Sequence, residues 1–197
     1  MSGIIEIAGG IAAGKTTLAR SLAAEGFTPI FEAFDSNPFL RLFYREPDRF
    51  AFETELSFML LHAAQAQEAA ATGGAHAADF SFLLDAAYAD TTLQGRRRRL
   101  ALEVLDMIRD ALPRPSAIVL LECPAEEELR RIRGRGRDFE ASIELGYLDR
   151  VGAALRDRVA AQSEAPVITV DSSKTDFRIN ASAVAKELRS RLAPSSI

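Results

Sequence analysis

The segment GIIEIAGGIAAGKTTLARSLAAEGF, residues 3–27, constrains this chain more than any other. A strand-like apolar run ending at Gly9 leads into Gly9-Gly10-Ile11-Ala12-Ala13-Gly14-Lys15-Thr16. That loop satisfies G-x-x-x-x-G-K-[ST] immediately before a helical stretch over 16–25 that Gly26 ends. Gly9 and Gly14 let the backbone turn its N–H groups inward on a polyphosphate at a helix start, and Ala12, Ala13 and Thr17 belong to the same cradle. Lys15 supplies a point charge to the β and γ phosphates, and the Thr16 hydroxyl is placed to ligate Mg²⁺. Of the 24 Lys and Arg residues only Lys15, Lys174 and Lys186 are lysines, so Lys15 is poorly explained as surface filler.

Five short apolar or β-rich runs recur along the chain: 3–9, 28–32, FSFLLD at 80–85, 116–123 and 166–172. Helical-period segments separate them, which predicts crossover helices and a mainly parallel α/β sheet of five strands. Ser36 or Asn37 is placed to cap a helix with Pro38 in its first turn. A long helix is expected over 48–70 with Phe52, Leu56, Met59, Leu60 and Ala63 on one face, and another over about 91–111, stopped by Pro113 and Pro115. After Pro124, Glu126 to Glu128 come early and Arg130, Arg131 and Arg133 late, matching the helix dipole. With 197 residues, no repeat and no linker, one domain over 1–197 is expected.

A net charge of -4 and a pI near 5.3 give no overall attraction to nucleic acid or anionic lipid. No apolar run reaches the roughly 18 residues of a membrane helix. The single cysteine, Cys123, forms no intrachain disulfide, and the N-terminus lacks the pattern of a signal peptide, so the cytoplasm is the expected location.

A phosphate loop alone does not separate kinases from other nucleotide enzymes. After the second run comes FEAFDSNPFLRLFYREPDRFAF (31–52), and after the fourth comes LRRIRGRGRDFEASIELGYL (129–148). In these stretches, from about residue 3 to residue 178, the chain resembles the deoxynucleoside kinase family, especially its bacterial deoxyadenosine/deoxyguanosine branch. The resemblance implies a P-loop kinase fold, with helices on both faces of the five-stranded parallel sheet and an arginine lid. Glu32 corresponds to the carboxylate that accepts the proton of the attacking 5′-hydroxyl, and Tyr44 and Glu140 to the pair that holds the 3′-hydroxyl. Arg133, Arg135 and Arg137 correspond to the lid, about 133–140, with Gly134 and Gly136 giving hinge freedom. Asp176 and Phe177 correspond to the loop framing the adenine of ATP.

Two departures from the family pattern stand out. The family's D/E-R-S triplet is matched here to Asp85-Ala86-Ala87, so that Asp85 keeps a position able to reach Mg²⁺ while Ala86 replaces the arginine. Without that cation, the proton affinity of Glu32 rises. The block Arg96 to Arg99 is expected mostly in solvent, with one member available to replace the lost guanidinium. Glu55 stands where the family has a base-reading Gln. Phe52 and Met59 place it on the inward face, so it needs a cation or donors facing it, from the protein or from a ligand. An internal Glu55–Arg bridge is the alternative. His62, His76 and Cys123 receive no role.

The expected activity is therefore ATP-dependent, Mg²⁺-dependent transfer of the γ-phosphate to the 5′-hydroxyl of a deoxynucleoside or a similar acceptor. Another nucleoside triphosphate is the alternative donor. A kinase of a modified nucleotide or of a non-nucleoside alcohol, and a degenerate nucleotide-binding regulator, are the alternative functions. The resemblance also implies a homodimer, for which the apolar faces of 48–70 and 91–111 are available.

Overall fold

The computed structural model describes residues 3–192. Five strands form one sheet: β1 (Gly3–Gly9), β2 (Thr28–Ile30), β3 (Ala75–Ala78), β4 (Ala117–Glu122) and β5 (Val167–Asp171). They lie in the order β2-β3-β1-β4-β5, and every pairing is parallel. Parallel pairing demands crossovers, and eight helices are available among the described residues. These are α1 (Lys15–Leu22), α2 (Leu40–Arg45), α3 (Pro47–Thr72), α4 (Phe82–Thr92), α5 (Gly95–Asp110), α6 (Ala125–Arg135), α7 (Leu145–Ala161) and α8 (Phe177–Leu192).

Strand side chains alternate between two cores, as a pleat requires. Ile5, Ile7, Ala117, Val119 and Leu121 pack with Leu18 and Leu22 of α1 and with Val184 and Leu188 of α8. Ala8, Ile118 and Leu120 point the other way, against Leu83 and Leu84 of α4 and Val151 and Leu155 of α7. A third cluster joins Phe43, Met59, Phe82, Ala86 and Leu105 from α2, α3, α4 and α5. Helices on both faces explain why β1 and β4 are nearly continuous apolar runs.

The third strand departs from expectation. FSFLLD is the start of α4, and the strand is the quieter Ala75-His76-Ala77-Ala78 before it. Ser81 caps α4 by accepting from the Leu83 N–H at 3.2 Å, and it donates at 2.9 Å to Glu6, buried in β1. Glu6 Oε2 also accepts the Phe82 N–H at 3.1 Å, so the sheet itself grips the start of this helix. The helix expected over 91–111 is two helices, α4 and α5, broken before Gly95, whose φ is 54°. On α3, Met59 is fully buried as expected, but Leu60 is 59% exposed.

The helix expected to be capped at Ser36 or Asn37, with Pro38 in its first turn, begins instead at Leu40 with Phe39 at its N-cap; Asn37 Oδ1 accepts the Phe39 N–H at 3.0 Å while its amide donates to the Thr54 carbonyl at 3.0 Å. That second bond ties the loop after β2 to α3.

Candidate functional site

The glycine loop leaves β1 at its carboxyl end, where β1 lies between β3 and β4 and the chain's connections depart in opposite directions. In an open parallel sheet this is where a ligand crevice forms. Gly9 is required by close approach, since a Cβ there would stand 3.0 Å from Leu121 and 3.1 Å from Ala13. Gly14 has φ 105°, a left-handed value natural to glycine. Ala12 holds φ 63°, a conformation that costs an L-residue about 1–2 kcal/mol. Lys15 Nζ folds back to donate to the Gly9 and Gly10 carbonyls, each at 2.9 Å.

Beside the loop opens a cavity of about 680 Å³, lined by Ala12, Gly14, Lys15, Thr16 and Thr17 on one side. Glu32, Tyr44, Glu55, Asp85 and Glu140 line it elsewhere, so residues 12 to 140 converge on one space. Glu32 follows β2, and Gln65 of α3 fixes the chain just before it by donating to the Phe31 carbonyl at 2.7 Å. Burial pushes the Glu32 pKa up, but His62, Lys15 and Arg137 outweigh it and hold the carboxyl below its ordinary value.

The acidic residue that follows the third strand is Asp79, not Asp85. Asp79 is buried, accepts the Glu32 backbone N–H and lies beside the Thr16 hydroxyl. It therefore takes the position expected of Asp85 next to the phosphate loop. The triplet there reads Asp79-Phe80-Ser81, with Phe80 in the place of the arginine. Ala86 is packed in the α3–α4–α5 core, outside the cavity lining, so no space beside the reacting groups arises from it.

Asp85 lies one turn into α4, and its Oδ2 accepts from His62 Nδ1 at 2.9 Å. The other ring nitrogen of His62 stands 3.4 Å from Glu32 Oε1. Sequence reasoning assigned His62 no role. A signal existed, because His62 is seven residues after the inward-facing Glu55, two helical turns along the same face.

Glu55 is buried, as its position on α3 predicts. Its partner is not an arginine: Thr92 Oγ1 donates to Oε1 at 3.1 Å. Burial raises the Glu55 pKa to about 8, against the Thr92 hydrogen bond and with the help of repulsion from Asp85 and Glu32. When protonated this side chain presents an O–H donor and a carbonyl acceptor, so that like the Gln it replaces, which has two N–H donors, it can both donate and accept.

The basic segment is more helical than its Arg-Gly alternation suggests, because α6 continues through Gly134 to Arg135 before Gly136 turns left-handed at φ 63°. Arg133 is exposed and lies outside the cavity lining. Arg131, one half-turn earlier, lines the cavity instead and donates to the Ser172 carbonyl at 2.8 Å and to the Ala12 carbonyl at 3.3 Å. Arg135 holds Glu140 with two bonds, 2.7 and 2.6 Å, and Arg137 stands 3.4 Å from the same carboxylate while its guanidinium lies over Phe34. Tyr44 of α2 packs on Phe139, ring centroids 5.7 Å apart, and both Tyr44 and Glu140 line the cavity.

Of the remaining expectations, Phe177 is buried beneath Gly14 and Asp176 pairs with Arg178 at 2.9 Å, and neither lines the cavity. Arg98 binds Asp90, and Arg96, Arg97 and Arg99 are exposed, so none of the four replaces a guanidinium in the site. Glu128 is a further unforeseen neighbour. Its carboxylate lies so close to Gly10 that a Cβ there would meet Oε1 at 2.2 Å.

Comparison with known proteins places these features in a family. Residues 5–192 match the family model described as deoxynucleoside kinase. The chain is 32% identical over 187 residues to the deoxyguanosine kinase of Bacillus subtilis, covering 90% of each protein. It is 26% identical over 179 residues to the deoxyadenosine/deoxycytidine kinase of the same organism, covering 84% of this chain and 80% of that one. The fold superimposes on the structure of the deoxyadenosine kinase of M. mycoides with the products dCMP and a flexible dCDP bound. That match has a TM-score of 0.84 at 18% identity and covers 95% of this chain and 99% of the other.

Proposed function

The chain belongs to the deoxynucleoside kinase family of phosphotransferases, and from that premise we propose that it moves the γ-phosphate of ATP, or of another nucleoside triphosphate, to the 5′-hydroxyl of a deoxynucleoside. The observation that carries this reading is that Lys15 and Glu32 open onto one cavity, a phosphate cation and a proton acceptor facing the same space. Glu32 is the general base: a carboxylate held ionised at the end of β2 takes the hydroxyl proton as the oxygen attacks. The loop amides and Lys15 fix the donor phosphates, while Arg131, beside the loop, and Arg135 and Arg137 line the same cavity and offset the charge that grows on the transferred group.

Thr16 and Asp79 fit Mg²⁺. One hydroxyl and one carboxylate beside a phosphate loop are the modest protein share of a site that Mg²⁺ completes with phosphate oxygens and water. When bound, the ion neutralises phosphate charge. Tyr44 and Glu140 hold the sugar, and Arg135 orients Glu140 for it.

For the base, a Glu55 that both donates and accepts favours a purine edge, and deoxyguanosine is the first acceptor to test because the B. subtilis relative is a deoxyguanosine kinase. The chain acts as one domain, with the segment about 133–140 as its lid and Arg131 just before it. No helix of the described residues is long and apolar enough to cross a membrane. A homodimer would pair the faces carrying Leu60 on α3 and Leu100 and Met107 on α5, which are 59%, 38% and 73% exposed; sedimentation velocity reads that directly. The activity is tested by incubating the four deoxynucleosides with ATP and Mg²⁺ and identifying the product. A 5′-monophosphate that disappears in Glu32→Gln supports the reading, and ATP binding without turnover of any nucleoside overturns it.

A further inference from the structure

Outside the groups already assigned, the feature that most demands an explanation is a buried histidine between two carboxylates. His62 projects from α3 with 2% of its side chain exposed. Its Nδ1 bonds Asp85 Oδ2 at 2.9 Å. Its Nε2 is buried without a fully formed hydrogen bond and aims at Glu32 Oε1, 3.4 Å away. The imidazole lies flat on Phe80, with ring centroids 4.2 Å apart and planes within 2°, and Phe58 stacks on it at 5.8 Å. Phe80 is the residue that replaces the arginine of the triplet after β3.

Proton counting limits what this arrangement can be. Asp85 accepts from Nδ1, so Nδ1 carries a proton. An unprotonated Nε2 would turn its lone pair on a carboxylate oxygen at 3.4 Å, which repels; a proton must lie between them. Burial works against the imidazolium, but Asp85 and Glu32 together outweigh that and raise the His62 pKa to about 10. The charged groups around it are Asp85 and Glu32 on the negative side, with Glu55, its pKa raised to about 8, nearby and Lys15 and Arg137 acting on Glu32 from beyond. The flat contact with Phe80 suits a cation, whose charge the ring face attracts, and it stops the imidazole from rotating.

We propose that His62 is a positioning residue for phosphoryl transfer: anchored by Asp85 and pressed flat on Phe80, it turns Nε2–H on Glu32 Oε1 and fills the role of the missing arginine. Glu32 Oε2 is thereby left for the attacking hydroxyl. The inference rests on the reading of Glu32 as the proton acceptor. It also explains the substitution of Phe80, since an arginine there and an imidazolium against the same ring position would compete for one space.

The test uses the full chain and His62→Gln, His62→Phe, Asp85→Asn and Glu32→Gln, each checked for a cooperative melt. For folded His62 variants we expect kcat for deoxyguanosine to fall about 100-fold, within the range for groups that support proton transfer, while the Kd for ATP stays within about two-fold. The ¹⁵N imidazole spectrum of the unsubstituted protein should show one histidine protonated on both nitrogens at neutral pH, and that signature should weaken in Glu32→Gln and in Asp85→Asn. A folded His62→Phe with kcat unchanged overturns the inference, as does a loss of ATP affinity equal to the loss of kcat, or a neutral His62 in the spectrum. If neither His62 variant folds, Asp85→Asn decides: an unchanged kcat overturns the inference, and a large loss with ATP affinity kept supports it. An active Glu32→Gln sinks the reading of Glu32 together with this inference, whereas an inactive Glu32→Gln beside active His62 variants sinks the inference alone. The spectrum requires no turnover and so reads the contact independently of the acceptor.

Discussion

Thr92 Oγ1, at the end of α4, donates at 3.1 Å to Glu55 Oε1, in the middle of α3, and this hydroxyl is the hydrogen-bond donor that the buried carboxyl finds. A carboxylate with one neutral donor in a dry site prefers to be an acid, and its pKa rises to about 8 from the ordinary 4.5. The raised folded-state value fixes the sign of the linkage. The native chain binds a proton here that the unfolded chain releases, so stability falls as pH climbs through the window between about 4.5 and 8.

Glu55→Gln removes that dependence while keeping a side chain that both donates and accepts. Its melting temperature should equal that of the unsubstituted protein near pH 5 and exceed it near pH 8. The stability difference behind that gap should widen with each pH unit by up to about 1.4 kcal/mol, the linkage value for one proton. Thermal melts at the two pH values check this; parallel curves would show that Glu55 stays ionised.

The arginines of the basic segment are predicted to divide by position. Arg133 is exposed while Arg131 and Arg135 line the cavity. Arg133→Ala should leave kcat/KM within about two-fold, whereas Arg131→Ala and Arg135→Ala should each lower it by about 100-fold, as for loss of a charge-stabilising donor at a transferring group. Steady-state kinetics on the three variants reads this. An equal loss in all three would mean that the segment acts through its overall charge.

Most of the fold was legible because its signals were local. The strand-loop-helix at residues 3–22, the long helix of α3 and the apolar strands β4 and β5 all follow from periodicity and punctuation. The third strand was not. FSFLLD is a short apolar run, which periodicity cannot distinguish from a buried helix, while Ala75-His76-Ala77-Ala78 has little β preference and is a strand because β1 and β2 enclose it. That one displacement moved the triplet by six residues, hiding Asp79 beside Thr16 and leaving Asp85 without its partner. The His62–Asp85 bond spans 23 residues and two helices, so no spacing rule announces it. Arg131 was missed for a different reason: the family's lid pattern begins at Arg133, and only the pitch of α6 shows which arginines face inward.

Ser81 joins sheet to helix, and the cost of losing it can be bounded. Its hydroxyl accepts the Leu83 N–H and donates to Glu6 Oε2, all of it buried. Ser81→Ala removes a helix cap and one of the two donors to a buried carboxyl, a loss of about 1–3 kcal/mol. Urea unfolding at constant slope should show it. Since Glu6 already has a pKa raised to about 7 by burial, with Ser81 and the Phe82 N–H opposing that rise, the variant's deficit should grow above neutral pH.

Asp90 on α4 is bound by two arginines from different helices, Arg98 of α5 through Nε at 2.8 Å and Arg158 of α7 through Nε at 2.6 Å. Burial is the largest single effect and raises its pKa, but the two guanidiniums together prevail and hold the carboxyl below the ordinary aspartate range. Its stabilising contribution is therefore present above the ordinary value and is lost as pH falls through the depressed one. All three side chains are partly exposed, which screens the attraction, so Asp90→Asn should cost about 1–2 kcal/mol rather than the larger penalty of a buried pair. Because the pairing is electrostatic, the deficit should shrink in about 1 M salt, where the Debye length is about 3 Å. Chemical unfolding at low and high salt measures both. A deficit that ignores salt would assign Asp90 a packing role between α4 and α7 instead.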